Sequence, residues 1–277
     1  VAHQFRQVDV FTETAYFGNP VAVVLGADGL SDEQMQLFAR WTNLSETTFV
    51  LAPRAPEADY LVRIFTPARE LPFAGHPTLG TCHAWLESGG RPARAGQAVQ
   101  ECGAGLVTVR QTETGLAFAA PPLLRGGPVD DAIADHVAGA LNLARADIVD
   151  IAWADNGPGW VAVLLASADA VLAVRPGTVD MDIGVAGPYP DGSPEALEVR
   201  AFTPQIGPPG EDPVTGSLNA SLAQWLLATG RVTAPYVARQ GTVLGRRGLV
   251  RISLDEGGQV WVGGTSVTCV SGTVELG

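Results

Sequence analysis

Two β-rich runs open the chain, Val8 to Phe11 and Asn19 to Leu25, and the Phe17-Gly18-Asn19-Pro20 stretch between them reads as a turn. From Ser31 to Trp41 the spacing becomes helical. Ser31 can cap that helix, Asp32 and Glu33 fill its first turn, and Leu37, Phe38 and Trp41 are expected to share a face. Asn43 is expected to end it. Strands are predicted at Thr47 to Leu51 and Tyr60 to Phe65, which leaves Glu46 where a helix exit meets a strand. Side chains at such junctions commonly project into clefts.

The most informative feature is an internal echo. Val62-Arg63-Ile64-Phe65-Thr66-Pro67 recurs 137 residues later as Val199-Arg200-Ala201-Phe202-Thr203-Pro204. Each copy leads through a loop to a glycine and an apolar helix, Gly75 with Trp85 in the first and Gly216 with Trp225 in the second. The second loop is four residues longer, and the tryptophans fall one position out of the glycine register. Strand, Thr-Pro, glycine and helix in the same order predict two homologous α/β (α+β) halves with a site between them. Helices apolar on most sides fit burial inside their own sheets. If both start at the cleft between the halves, their free amides and positive dipole ends converge on one spot, where an anion would bind without a lysine.

The predicted domains are 1–120 and 121–265, with a final strand at about 266–277 returning to the first. Ala119 to Pro128 is the candidate linker, rich in proline and glycine. Asp130 to Leu141 reads as a helix, Trp160 to Leu165 as a buried strand, and Ser167 to Val174 as a short helix. Hairpin alternation runs from Gly248 to the end.

Composition narrows the chemistry. The 277 residues carry 29 acids and 17 bases, a formal charge of −12, and every base is arginine. Without lysine there is no Schiff-base chemistry and no phosphate-loop lysine. The acidic balance argues against nucleic acid or an anionic membrane as partner. No apolar run reaches spanning length, the N-terminus reads as a strand and not a leader, and three cysteines form no even framework. A cytoplasmic location is the expectation.

On local evidence Glu46 fits an ordinary solvated acid at a strand start, and the repeat raises the other reading, a general base partly buried at a cleft edge. His76 fits a helix cap, and a histidine there also stays neutral and able to relay protons. Asp212 fits a turn before Pro213, yet its spacing from Ser217 brings a carboxylate and a hydroxyl to one helix mouth. Cys102, in Cys-Gly-Ala-Gly, suggests a racemase thiol, but it lies outside the echo and is expected to be a turn cysteine. His83 and His136 have no ligand spacing around them, and neither a hydrolase elbow nor a dinucleotide glycine motif occurs.

Five motifs in order, Gly18-Asn19-Pro20-Val21-Ala22-Val23, Ser45-Glu46-Thr47, Phe73-Ala74-Gly75-His76-Pro77-Thr78, Asp212-Pro213-Val214-Thr215-Gly216-Ser217 and Gln240-Gly241, resemble the phenazine-biosynthesis PhzF-like isomerase family. The resemblance covers nearly the whole chain. It implies the diaminopimelate epimerase-like fold, two pseudo-symmetric domains each with a curved, mainly antiparallel sheet rolled around a central helix. It further implies a homodimer and cofactor-independent proton transfer on a small carboxylated substrate. In the family's isomerase the glutamate matching Glu46 moves a proton of a dihydro-hydroxyanthranilate, giving an enol that becomes a ketone. Residues matching His76, Asp212 and Ser217 assist, and Ser45, Gly75 and Gly216 mark the substrate carboxylate's place. Related racemases carry a cysteine before each glycine, where this chain has Ala74 and Thr215, so two-thiol racemisation is disfavoured. The alternative is a catalytically silent binding or regulatory protein on the same scaffold.

Overall fold

Asn19–Leu25, Tyr60–Phe65, Val161–Leu165 and Leu197–Phe202 are buried at nearly every position, as strands covered on both faces are. The computed structural model, which describes residues 1–204 and 210–276, divides into Val1–Ala119 with Gly263–Gly277, and Ala120–Val262. The longer loop after Pro204 includes residues outside those described.

In the first unit the order is β1 (Ala2–Val10), β2 (Asn19–Leu25), α1 (Asp32–Thr42), β3 (Glu46–Leu51), β4 (Tyr60–Phe65), β5 (Glu70–Leu71), α2 (Gly75–Glu87), β6 (Gln97–Cys102), β7 (Gly105–Thr112) and β8 (Gly115–Ala119). The second unit runs β9 (Arg125–Pro128), α3 (Asp131–Ala140), β10 (Ile148–Asp155), β11 (Val161–Leu165), α4 (Ala168–Ala173), β12 (Ile183–Pro188), β13 (Leu197–Phe202), β14 (Glu211–Asp212), α5 (Gly216–Ala228), β15 (Tyr236–Gln240) and β16 (Gly248–Leu254). Then β17 (Val260–Gly264) leads to β18 (Ser266–Glu275), which pairs antiparallel with β1.

The echo extends through both sheets. In the first unit β1 is antiparallel to β2, β2 parallel to β3, β3 antiparallel to β4, and β4 parallel to β6. The second repeats this with β10, β11, β12, β13 and β15. Strand β9 lies on β10 as β18 lies on β1. The hairpin β6–β7, which carries Cys102, therefore does have a counterpart in β15–β16, contrary to the sequence expectation. Cys102 itself is buried at the turn, its thiol donating to the Gly105 carbonyl.

Central helices α2 and α5 are buried on most sides, through Gly75–Cys82 and Ala84 in one and Leu218–Ala223, Trp225 and Leu226 in the other. On the outer face of the first sheet, α1 covers Val24, Phe49 and Phe65 with Met35, Phe38 and Ala39. Leu37 and Trp41 do not join that face: they are 65% and 78% exposed. The covered stripe follows the 35, 38, 39 spacing of a helix lying on a sheet, and only Phe38 of the expected trio belongs to it. Ser31 caps α1 in a capping box with Gln34, and Asn43 ends it in the left-handed conformation. The expected linker is also shorter than its composition suggests, since Arg125–Pro128 forms strand β9.

Candidate active site

In the first unit, parallel pairing of β2 and β3 sets Val21 opposite Glu46, the first residue of β3, which places Pro20 beside it. His76 is the second residue of α2, and its Nε2 lies 3.3 Å from Glu46 Oε2, with the side chains 5% and 15% exposed. Burial pushes the His76 pKa down to about 3, only partly opposed by a hydrogen bond with the Pro20 backbone. The ring is therefore neutral near pH 7, with one donor nitrogen and one acceptor. Proline has no N–H, so its backbone can only accept, and the ring must donate to it. Because Nε2 is the nitrogen facing Glu46, the donor is Nδ1. The acceptor nitrogen thus faces the Glu46 carboxyl and, on a ring held neutral by burial, can accept a hydrogen bond without taking the proton.

Gly75 opens α2, Ala74 offers no side-chain cap, and Pro77 brings no amide, so the Gly75 and His76 amides form the donor end of the helix. Ser45 stands immediately before Glu46 and is half-buried.

In the second unit the start of α5 is held by a buried polar network. The Thr215 hydroxyl donates to Asp212 Oδ2 at 2.5 Å and accepts from Gln240 Nε2 at 3.0 Å. Gln240 Oε1 accepts from the Thr215 amide at 3.0 Å and from Asn219 Nδ2 at 2.8 Å. Gln240 Nε2 also reaches the Asp212 carbonyl. Gly241 follows at φ +87°, where a Cβ would come within 2.5 Å of the Pro213 carbonyl oxygen, so the turn after Gln240 needs glycine. Ser217 Oγ accepts from Trp160 Nε1 at 3.1 Å, and its carbonyl accepts from Asn156. Asp212 is thus joined to Thr215, and Ser217 to Trp160, both at the start of α5. With no side-chain cap on α5, the Gly216 and Ser217 amides stand at its start.

Thr215, Gln240, Asn219 and Trp160 were not assigned these roles from the sequence. A readable signal existed in the first unit: Gln100 donates to Thr78, three residues after Gly75, as Gln240 accepts from Asn219, three after Gly216. A buried glutamine late in the strand that follows the helix is a feature of both halves. Elsewhere His83 contacts Thr268, and His136 pairs with Asp180 on the surface. Among the described residues no group of three or more His, Cys, Asp or Glu side chains could hold a metal ion, and no helix is long and apolar enough to cross a membrane.

A family model described as phenazine biosynthesis-like protein matches residues 8–272. The chain belongs to that family. It is 36% identical to antisense-enhancing sequence 1 of Schizosaccharomyces pombe, with 98% of each chain covered. It is 34% identical to trans-2,3-dihydro-3-hydroxyanthranilate isomerase of Pseudomonas fluorescens, covering 99% of this chain and 100% of the relative. A crystal structure of a PhzF-family phenazine biosynthesis protein from Enterococcus faecalis superposes with TM-score 0.80 at 26% identity over the whole of both chains. Fold and family agree with the diaminopimelate epimerase-like expectation, and the relatives support an isomerase. Within this family member the residues before the two helix glycines, Ala74 and Thr215, carry no thiol, while the free cysteines are Cys82, Cys102 and Cys269.

Proposed function

We propose that this protein is a cofactor-independent isomerase that shifts a proton within a small unsaturated carboxylic acid, similar to trans-2,3-dihydro-3-hydroxyanthranilate. Glu46 is the base and the returning acid; His76, Asp212 and Ser217 assist. The observation that carries this reading is the 3.3 Å pairing of Glu46 with a ring that burial keeps neutral. A carboxylate that abstracts a proton from carbon becomes a carboxylic acid, and Nε2 offers that acid an acceptor without competing for the proton. One carboxylate acting on one face then delivers the same proton to a second carbon. Backbone amides at Gly75–His76 and Gly216–Ser217, with Ser45, serve the substrate carboxylate. In this reading the enzyme is a homodimer, and its place is the cytoplasm, where its three free cysteines stay reduced.

The test follows absorbance change and solvent-deuterium incorporation on trans-2,3-dihydro-3-hydroxyanthranilate and related unsaturated acids. Glu46→Gln, folded by circular dichroism, is expected to lose activity by about a hundredfold or more, the scale of a general base. A variant as active as the parent removes Glu46 from its role. Tight binding to the parent protein with neither conversion nor exchange favours the silent binder instead.

A further inference from the structure

The strand that delivers Asp212 to the start of α5 is only two residues long, Glu211–Asp212, paired antiparallel with Phe202 and Ala201 of β13. A ladder that short holds its register poorly, and a slip of one residue turns each side chain to the opposite face. In the observed register Glu211 shares the outer face with Phe202, and Asp212 shares the inner face with Ala201. Arg200, two residues before Phe202 and so on the outer face, grips Glu211 with Nε–Oε1 at 2.9 Å and Nη2–Oε2 at 2.7 Å. Its Nη1 donates to the carbonyls of Val174 at 2.7 Å and Val171 at 3.2 Å at the end of α4. The two side chains are 3% and 4% exposed.

The same device occurs in the first unit. Arg63 grips Glu70, which opposes Phe65 as Glu211 opposes Phe202, and reaches Asp32 of α1 in place of the α4 carbonyls. That copy is wet, with side chains 20%, 42% and 82% exposed, and the residue after Glu70 is Leu71, which has no acid–base chemistry. A buried ion pair contributes little to stability over an apolar pair of similar volume, so stability alone does not explain keeping the dry copy beside Asp212.

We infer that the Arg200–Glu211 pair is a positioning device for the isomerase reaction, fixing the register of β14 so that Asp212 faces Thr215 at the start of α5. This rests on the proposed function for its kinetic arm and on the fold for its structural arm. Replacing the pair with apolar residues, Arg200→Met with Glu211→Leu, is expected to keep the protein folded. It should speed amide hydrogen exchange at Val214–Gly216 and lower kcat about tenfold or more with little change in KM, the scale of a small misplacement of reacting groups. In an Asp212→Asn background the double replacement should cost no further kcat. The matching change in the first unit, Arg63→Met with Glu70→Leu, should leave kcat and exchange at Val214–Gly216 within about threefold, as a solvent-screened pair does. If the apolar pair does not fold, Arg200→Lys, which keeps the charge and loses the fork, carries the same expectations. Unchanged exchange at Val214–Gly216, or a kcat loss that multiplies with that of Asp212→Asn, overturns the inference. A slow clamp variant beside a fully active Glu46→Gln leaves the clamp standing and sinks the Glu46 assignment.

Discussion

Lowering the pH should expose the cost of burying His76. An ordinary histidine titrates near 6.5, and burial pushes this one to about 3. Between those values the unfolded chain binds a proton that the native protein excludes, so the unfolded state gains as pH falls. The contribution is fully present above pH 6.5 and disappears as the pH descends through 3. The slope is about 1.4 kcal/mol per pH unit, which gives about 2 kcal/mol lost at pH 5 and about 4 kcal/mol by pH 3, where the native ring is itself half protonated. At 4% exposure little solvent screening reduces these figures.

Other groups titrate over the same range, so the measurement is a difference of differences. Urea unfolding midpoints at pH 7.5 and pH 5 are taken for the parent and for His76→Gln, which keeps polar atoms and cannot ionise. The parent should lose about 2 kcal/mol more than the variant over that interval. The same neutrality predicts that kcat/KM shows no limb from His76 between pH 5 and 8. An equal loss in both proteins would mean that the native ring accepts a proton near its ordinary pKa, and the acceptor assignment at Nε2 would fall with it.

Two further outcomes follow from packing and hydrogen bonding. Gly80 lies inside α2, where a Cβ would sit 2.4 Å from Val21 Cγ1 and 2.9 Å from Val10 Cγ2. Gly80→Ala gains about 1 kcal/mol in helix propensity and loses up to about 3 kcal/mol to overpacking, so a net destabilisation of about 1–2 kcal/mol is expected in urea; a stabilised protein would show that the strands yield freely. Thr215→Val removes the donor to Asp212 and an acceptor of Gln240, and should cost about 1–3 kcal/mol by the same measurement. Thr215→Ser should recover most of it, and equal behaviour of the two variants would exclude the hydroxyl network as the cause.

Much of the secondary structure was legible because its signals are local. Ser31, Asp130 and Ser167 each cap the helix expected from them. Where the reading failed, a nonlocal partner decided. Leu37 and Trp41 are apolar and helical, but the sheet lies against Met35, Phe38 and Ala39. Gly126-Gly127-Pro128 reads as linker, yet the segment pairs along one side with β10, an arrangement that tolerates proline. At the candidate site the motifs named Glu46 and His76, 30 positions apart, but their 3.3 Å approach depends on how β2, β3 and α2 pack. The Gln240 network depends likewise on parallel pairing of β13 with β15, which no spacing in the sequence announces.

The absence of lysine takes on a sharper meaning beside the arginines. Arg63 and Arg200 occupy matching places on the strands that lead to α2 and α5, and are the cations nearest in sequence to either helix start on those strands. Arg200 already spends its guanidinium on Glu211 and two carbonyls, and Arg63 spends its own on Glu70 and Asp32. Both lie on the outer sheet faces, whereas the central helices lie on the inner ones. Neither guanidinium is therefore free to meet a carboxylate at the start of α2 or α5. Under the proposed function that suits Glu46: a nearby guanidinium would favour its ionised form and hinder its conversion to the acid that returns the proton to carbon.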